Sequence, residues 1–318
     1  MEKRELLNRE DDPLYIKQDK AHKCLEEGRF EEAIGIFESI SRENQAFPGV
    51  SDGIKASRFW AGRTDRRTRQ MSAYDKGKHL LREWLQFERY MLKNNVRHGK
   101  STAAIQKFAF GDIIESFARA YKEGLVPDTN ILVQIGDLFK RLGNFDRAID
   151  VFEYVRGWNS SDPSLLSKLG DCYFSVDETS KAKVLFREAF FIDPAQIELE
   201  QIESPLIHML HTRTSELIKD PDVSIYWVPV VAEITGVFNV KREPKKGELE
   251  ELRGKIKRIE LEYSTNRRQR AFIEPKLLNH YFWLIDTLKI LGGSKKEIDQ
   301  ALQRINDVNP DVFAQYLE

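Results

Sequence analysis

The chain has 318 residues, 50 Lys+Arg against 51 Asp+Glu for a net charge of −1, and 41% hydrophobic residues that include 19 Phe. That apolar content can build a core and excludes wholesale disorder, while the balanced charge supplies no global field for nucleic acid or acidic membranes. Cys24 and Cys172 stand alone in periodic apolar contexts, so neither a disulfide framework nor a cysteine-rich zinc site is expected.

From the N-terminus, the first ten residues lack the apolar run of a secretory signal. A cytoplasmic location is therefore expected, or a periplasmic one if an export signal lies upstream of this chain. Asp12-Pro13 opens the first helical segment, with an N-cap acceptor before a proline at the first helical position. It leads into Gly28-Arg-Phe-Glu-Glu-Ala33-Ile-Gly-Ile-Phe37-Glu38 and closes near Pro48. Gly49–Ala61, Tyr74–Lys93 and Ser101–Glu123 then read as helices from their apolar spacing. Between the first two, Gly62–Ser72 carries Arg63, Arg66, Arg67 and Arg69 with little apolar residue and reads as an exposed loop.

His98-Gly99-Lys100-Ser101-Thr102 contains half of a phosphate-binding loop. The full motif needs a glycine where Asn94 stands, and a strand where the preceding pattern is helical, so Ser101 is read as an N-cap instead.

Further along, Gly143-Asn-Phe-Asp-Arg-Ala148-Ile-Asp-Val-Phe152-Glu153 repeats the Gly28 segment at the same offsets. Ile135-Gly136-Asp137-x-Phe139 is echoed by Leu169-Gly170-Asp171-x-Tyr173. Gly136 to Gly170, Ala148 to Ala182 and Phe152 to Phe186 are each 34 residues apart. Small side chains at these positions let helix axes approach to about 8–10 Å, and the aromatics fill the space beside them.

These residues resemble the tetratricopeptide repeat family, whose unit is two antiparallel helices in about 34 residues. The match is fullest over Asp128–Pro194. The first copy has Ala21 for the glycine and Cys24 for the aromatic, and the third has Asp177 at the turn where Gly28 and Gly143 sit. The resemblance implies an all-α fold: a right-handed superhelical solenoid of antiparallel helix pairs with an α-helical C-terminal region. Residues 1–125 would hold the first repeat and degenerate pairs, 126–195 two well-formed repeats, and 196–318 a helical region capping the array.

It further implies a concave groove that binds a partner peptide or helix. Carried over by position, the groove residues are His22, Leu25 and Glu26, then Asp137, Lys140 and Arg141, then Asp171, Phe174 and Ser175. Two carboxylates at one repeat position favour a basic ligand. The family's Lys/Asn carboxylate clamp is absent, because its positions hold Gln18 and His22, Val133 and Asp137, and Ser167 and Asp171.

In the last third, helices are expected over Ala195–Leu217, with Pro205 kinking or splitting it, and over Tyr226–Val240, Gly247–Tyr263 and Lys276–Leu291. Ser294-Lys-Lys-Glu297 is a capping box for a final amphipathic helix. Tyr226–Glu243 and Asn279–Asp286 resemble stretches of tetratricopeptide proteins of spirochaetes, some of which belong to the periplasmic flagellar-motor collar. That resemblance implies a part in assembling a larger complex.

No catalytic constellation is legible. His208 and His211 supply two ligands where zinc needs three or four, and His280 lies on an aromatic helix face. Gly-x-Ser-x-Gly, His-Glu-x-x-His and dinucleotide fingerprints are missing. The expected role is a non-enzymatic protein-binding scaffold without cofactor or metal, compatible with homo-oligomerisation. The alternative is an RNA- or acidic-lipid-binding module that uses Arg63, Arg66, Arg67 and Arg69 as an anion-binding loop, with Arg267–Arg270 as a second basic cluster.

Overall fold

The computed structural model describes residues 12–63, 68, 70–125 and 128–317. Among them are fifteen α-helices, most packed against a sequence neighbour, and no strand. The chain divides into two compact units, Met1–Ile131 and Leu132–Glu318.

The first unit contains α1 (Pro13–Glu26), α2 (Phe30–Glu43), α3 (Val50–Ala61), α4 (Ala73–Lys93) and α5 (Lys100–Lys122). Asp12 caps α1 by accepting the Leu14 N–H at 2.8 Å, as the Asp-Pro pair predicts. Gly28 makes the α1–α2 turn at φ +73°, a conformation glycine adopts without steric cost. α2 packs on both α1 and α3, and α4 packs on α5. Phe37 of α2 lies so close to Gly53 of α3 that a Cβ there would fall 2.8 Å from the ring. An aromatic cluster of Trp60, Trp84, Phe87 and Phe110 fills the middle of this unit, Trp84 meeting Phe110 edge-on at 4.6 Å. α5 does more than pair with α4, because it also packs along α1 and α3.

The second unit is entered through α6 (Thr129–Arg141), followed by α7 (Phe145–Arg156), α8 (Pro163–Ser175) and α9 (Thr179–Ile192). The sequence spacing becomes packing here. Gly136 lies under Phe152, where an added Cβ would come within 2.3 Å of the ring, and Gly170 lies under Phe186 with 3.3 Å of clearance. Asp162 accepts the Leu165 N–H to start α8. Asp177 takes the left-handed turn at φ +62°, doing for the third copy what Gly28 and Gly143 do in theirs.

Two 3-10 turns, Pro194–Gln196 and Leu199–Gln201, then lead to α10 (Pro205–Leu217) and α11 (Pro221–Ile234). The expected helix over Ala195–Leu217 therefore exists only from Pro205 onward, where proline occupies the first helical position and loses no hydrogen bond. Likewise α11 starts at the Asp220-Pro221 cap and stops at Ile234 rather than Val240, where the chain turns through Gly236 at φ +66°.

The remaining helices are α12 (Glu248–Thr265), α13 (Arg270–Leu291), α14 (Lys295–Val308) and α15 (Pro310–Leu317). The capping box forms, with Ser294 Oγ accepting the Glu297 N–H. α15 follows as a separate short helix beyond the one that the capping box opens. Asn309 starts it by accepting the Val312 N–H at 3.0 Å.

Two apolar cores run through this unit. One joins α7 through α11, and the other joins α11 through α15. A charged network stitches them together. Arg187 of α9 bonds Asp286 of α13, with Glu233 of α11 at 3.5 Å; Lys241 bridges the same two carboxylates. Arg242 grips Glu248 with two hydrogen bonds of 2.8 Å and reaches Glu188 at 3.3 Å. Burial raises the Glu248 pKa, but the Arg242 and Lys245 hydrogen bonds outweigh it, so the carboxyl is held below its usual range. Multiple partners for each buried charge offset the desolvation that would otherwise make such a cluster costly.

Candidate functional site

Gly136 and Gly170 seat α6 on α7 and α8 on α9, ion pairs tie α6 to α8, and both helices direct polar side chains toward residues 197–204. Asp171 of α8 is fully buried. Its two carboxylate oxygens accept the backbone N–H groups of Glu203 at 2.9 Å and Ser204 at 2.7 Å. Lys140 of α6 pairs with the same carboxylate at 2.7 Å and donates to the Gln201 carbonyl. Lys168 bonds Asp137 at 2.8 Å and approaches Glu198 at 3.6 Å. Burial outweighs Lys168 and lifts the Asp137 pKa above the ordinary carboxylate value.

Ile197 and Ile202 of the intervening segment are buried in the core between these helices and α11. The repeat wall thus already holds a stretch of polypeptide, and it does so by main-chain recognition. A segment that is neither long helix nor strand carries unpaired N–H and C=O groups, which must find partners once buried. Asp171 and Lys140 are those partners.

Of the groove positions read from the sequence, Asp137, Lys140 and Asp171 are therefore engaged by their own chain. Arg141 and Ser175 are exposed at the ends of α6 and α8, Ser175 Oγ bonding the Asp171 carbonyl at 3.0 Å. Phe174 is half-buried against the core. The basic-ligand preference inferred from two free carboxylates loses its footing, since each has a lysine. The outward-facing acids are instead Glu198, Glu200 and Glu203 on the segment itself.

The first repeat's wall is covered differently, by α5. Leu25 is fully buried. His22 Nε2 lies 3.2 Å from Ser101 Oγ, and Glu26 pairs with Lys107 at 2.8 Å. Phe108 fills the space over Gly28, where a Cβ would sit 2.4 Å from its ring. Burial lowers the His22 pKa against the opposing pull of Asp19.

Ser101 is not the N-cap of α5. Gly99 is, and Thr102 Oγ1 accepts the Gly99 N–H at 2.8 Å while Ser101 turns inward to His22. Arg63 stacks on Phe59 at 3.8 Å and bonds Glu83 at 2.8 Å, so it is tied to the helices rather than offered to an anion. Arg66, Arg67 and Arg69 lie outside the described residues. Arg270 covers the Tyr263 ring at 4.5 Å.

Among the described residues, no three His, Cys, Asp or Glu side chains are grouped to hold a metal ion. No described helix is long and apolar enough to cross a membrane. Both cysteines are buried thiols, and burial pushes Cys172 up to about 12. Neither a protein-family model nor a curated protein matches this chain.

The sequence reading missed two features: the return of residues 197–204 onto α6 and α8, and the docking of α5 on α1. The available signal for the first was a pair of oppositely charged residues, Lys140 and Asp171, on the first helices of successive repeats. For the second it was the apolar Leu25 at a groove position.

Proposed function

We propose that this protein is a non-enzymatic, tetratricopeptide-like scaffold, its helix pairs continuing as a solenoid, which binds another protein as part of a larger assembly. The observation that carries this reading is the grip of Asp171 and Lys140 on the main chain of residues 201–204. It is the kind of contact by which a repeat wall holds a polypeptide of arbitrary side chains. The wall's inner part is occupied, so a partner engages its outer layer, formed by the exposed Glu198, Glu200 and Glu203 and the rim residues Arg141, Phe174 and Ser175. The outward carboxylates of Glu200 and Glu203, with Glu198 shared with Lys168, suit a basic partner segment, and the preformed helices keep the ordering cost on this side small.

The test is a charge reversal that spares the anchoring backbone: Glu198→Lys, Glu200→Lys and Glu203→Lys together. Partners captured from the native extract and identified by mass spectrometry should be lost, while helicity and melting temperature stay unchanged. Retention of the same partners by the folded variant would refute the outer-wall assignment.

A further inference from the structure

A second surface of the C-terminal unit, away from the groove positions of the repeat wall, has the make-up of a ligand site. Two adjoining cavities of about 230 and 400 Å³ share Ser161, Phe191, Ile192 and Lys255 and run between α9, α12 and α13. Their floor is apolar. Phe191 packs on Trp283 at 4.2 Å and on His280 at 4.6 Å, and Leu252 and Ile259 lie beside it.

Their rim is cationic. Arg242 and Lys245 are neutralised by Glu188 and Glu248. Lys246, Lys255, Arg258 and Lys276 have no described carboxylate within ion-pair distance, and Lys255 hangs over Phe191 at 6.0 Å. Glu251 and Glu262 are the opposing charges on the rim. Four unpaired cations against two carboxylates leave a local excess of two positive charges in a chain whose net charge is −1.

One polar group points the same way independently. His280 is 4% exposed, and its Nδ1 lies 2.7 Å from the Lys276 carbonyl. A carbonyl only accepts, so Nδ1 carries the proton, and burial keeps the ring neutral with its pKa near 4. Nε2 is then an acceptor, and no described donor reaches it, although His280 lines the larger cavity. As part of the cavity lining, that acceptor is placed to receive an incoming N–H.

We propose that this cleft binds an acidic peptide segment of a partner protein, with a large apolar side chain on Phe191 and Ile192, a backbone N–H donated to His280 Nε2, and carboxylates facing Lys246, Lys255, Arg258 and Lys276. An acidic, apolar-centred segment matches each element of the cleft: the rim by charge, the floor by surface, the histidine by its missing donor. The site does not depend on the repeat wall or on what that wall binds.

The probe is a fluorescein-labelled peptide, Asp-Glu-Glu-Leu-Phe-Asp-Glu-Glu, titrated with the full chain by fluorescence anisotropy. Controls are a peptide with Ser-Gly in place of Leu-Phe, a Lys-for-acid counterpart and a single-stranded RNA octamer. The acidic Leu-Phe peptide should bind, and Lys255→Glu with Arg258→Glu should weaken it at least about tenfold, as expected when rim charges are reversed. Both positions are exposed, so the fold survives, which circular dichroism verifies. His280→Phe should weaken binding at unchanged rim charge. The proposal is overturned by absence of binding at millimolar protein, by equal affinity for the Ser-Gly peptide or the RNA, or by no loss in the double variant.

Discussion

The walls of the first repeat and of the last two are built on one spacing yet are covered by different things, α5 in one case and an irregular segment in the other. Residues at equivalent positions decide which. In the first repeat, Leu25 and the bare Gly28 offer an apolar shelf and a notch, and a helix whose backbone is internally satisfied can lie there with Phe108 in the notch. In the later repeats, Lys140 and Asp171 offer charge, and they are matched by a segment whose backbone needs hydrogen bonds. The repeated spacing thus specifies helix pairing, while the few residues on the exposed side of each pair specify what covers it.

The comparison can be broken most sharply at Asp171. Asp171→Ala leaves Lys140 buried and unpaired and frees two buried N–H groups, so it should cost about 3–5 kcal/mol in urea denaturation. A loss under about 1 kcal/mol would mean the segment is held by its isoleucines alone. Next in size is Leu25→Ala on the other wall, which should cost about 2–4 kcal/mol through lost burial and a cavity. The same measurement should give a smaller loss, about 1–3 kcal/mol, for Gly136→Ala, whose Cβ would meet the enclosed Phe152 ring. Gly170→Ala, with 3.3 Å of clearance, should be clearly milder than Gly136→Ala. Equal effects would deny that these two glycines differ in packing.

Acid separates the regions further. His280 and His22 both have folded-state pKa values below the unfolded one of about 6.5. As pH falls through 6.5 the unfolded chain takes up protons before the folded one, so stability present at neutral pH is lost toward the folded pKa, near 4 for His280. Melting temperature should therefore fall between pH 7 and 5. His280→Gln should flatten that slope most, and His22→Gln should flatten it less and show mainly as retained amide protection in α1 and α5. An unchanged slope in both variants would contradict the burial argument. The smallest effect belongs to the exposed pair Lys107–Glu26, where Lys107→Ala should cost less than about 1 kcal/mol.

Local signals were the legible ones. Asp-Pro pairs at 12, 162 and 220 cap α-helices, the Ser294 box forms, and Gly136 and Gly170 lie under the phenylalanines that the 34-residue spacing pairs with them. Even Asp177 was marked by its place in the repeat. What escaped was non-local: Asp171 finds its backbone partners 32 and 33 residues on, and His22 finds Ser101 79 residues on. Periodicity reports which face of a helix is apolar, and it carries no address for what will cover that face. The 3-10 turns between Pro194 and Gln201 have an apolar pattern that also suits a helix, and only the α7–α11 core around Ile197 and Ile202 distinguishes them.

The most direct test of the occupied wall is hydrogen exchange at two amides, those of Glu203 and Ser204, by NMR on the intact chain. If Asp171 holds them, they exchange as slowly as amides in the middle of α8, and Asp171→Asn accelerates both. Exchange at the rate of an open loop in the wild-type chain would contradict the account.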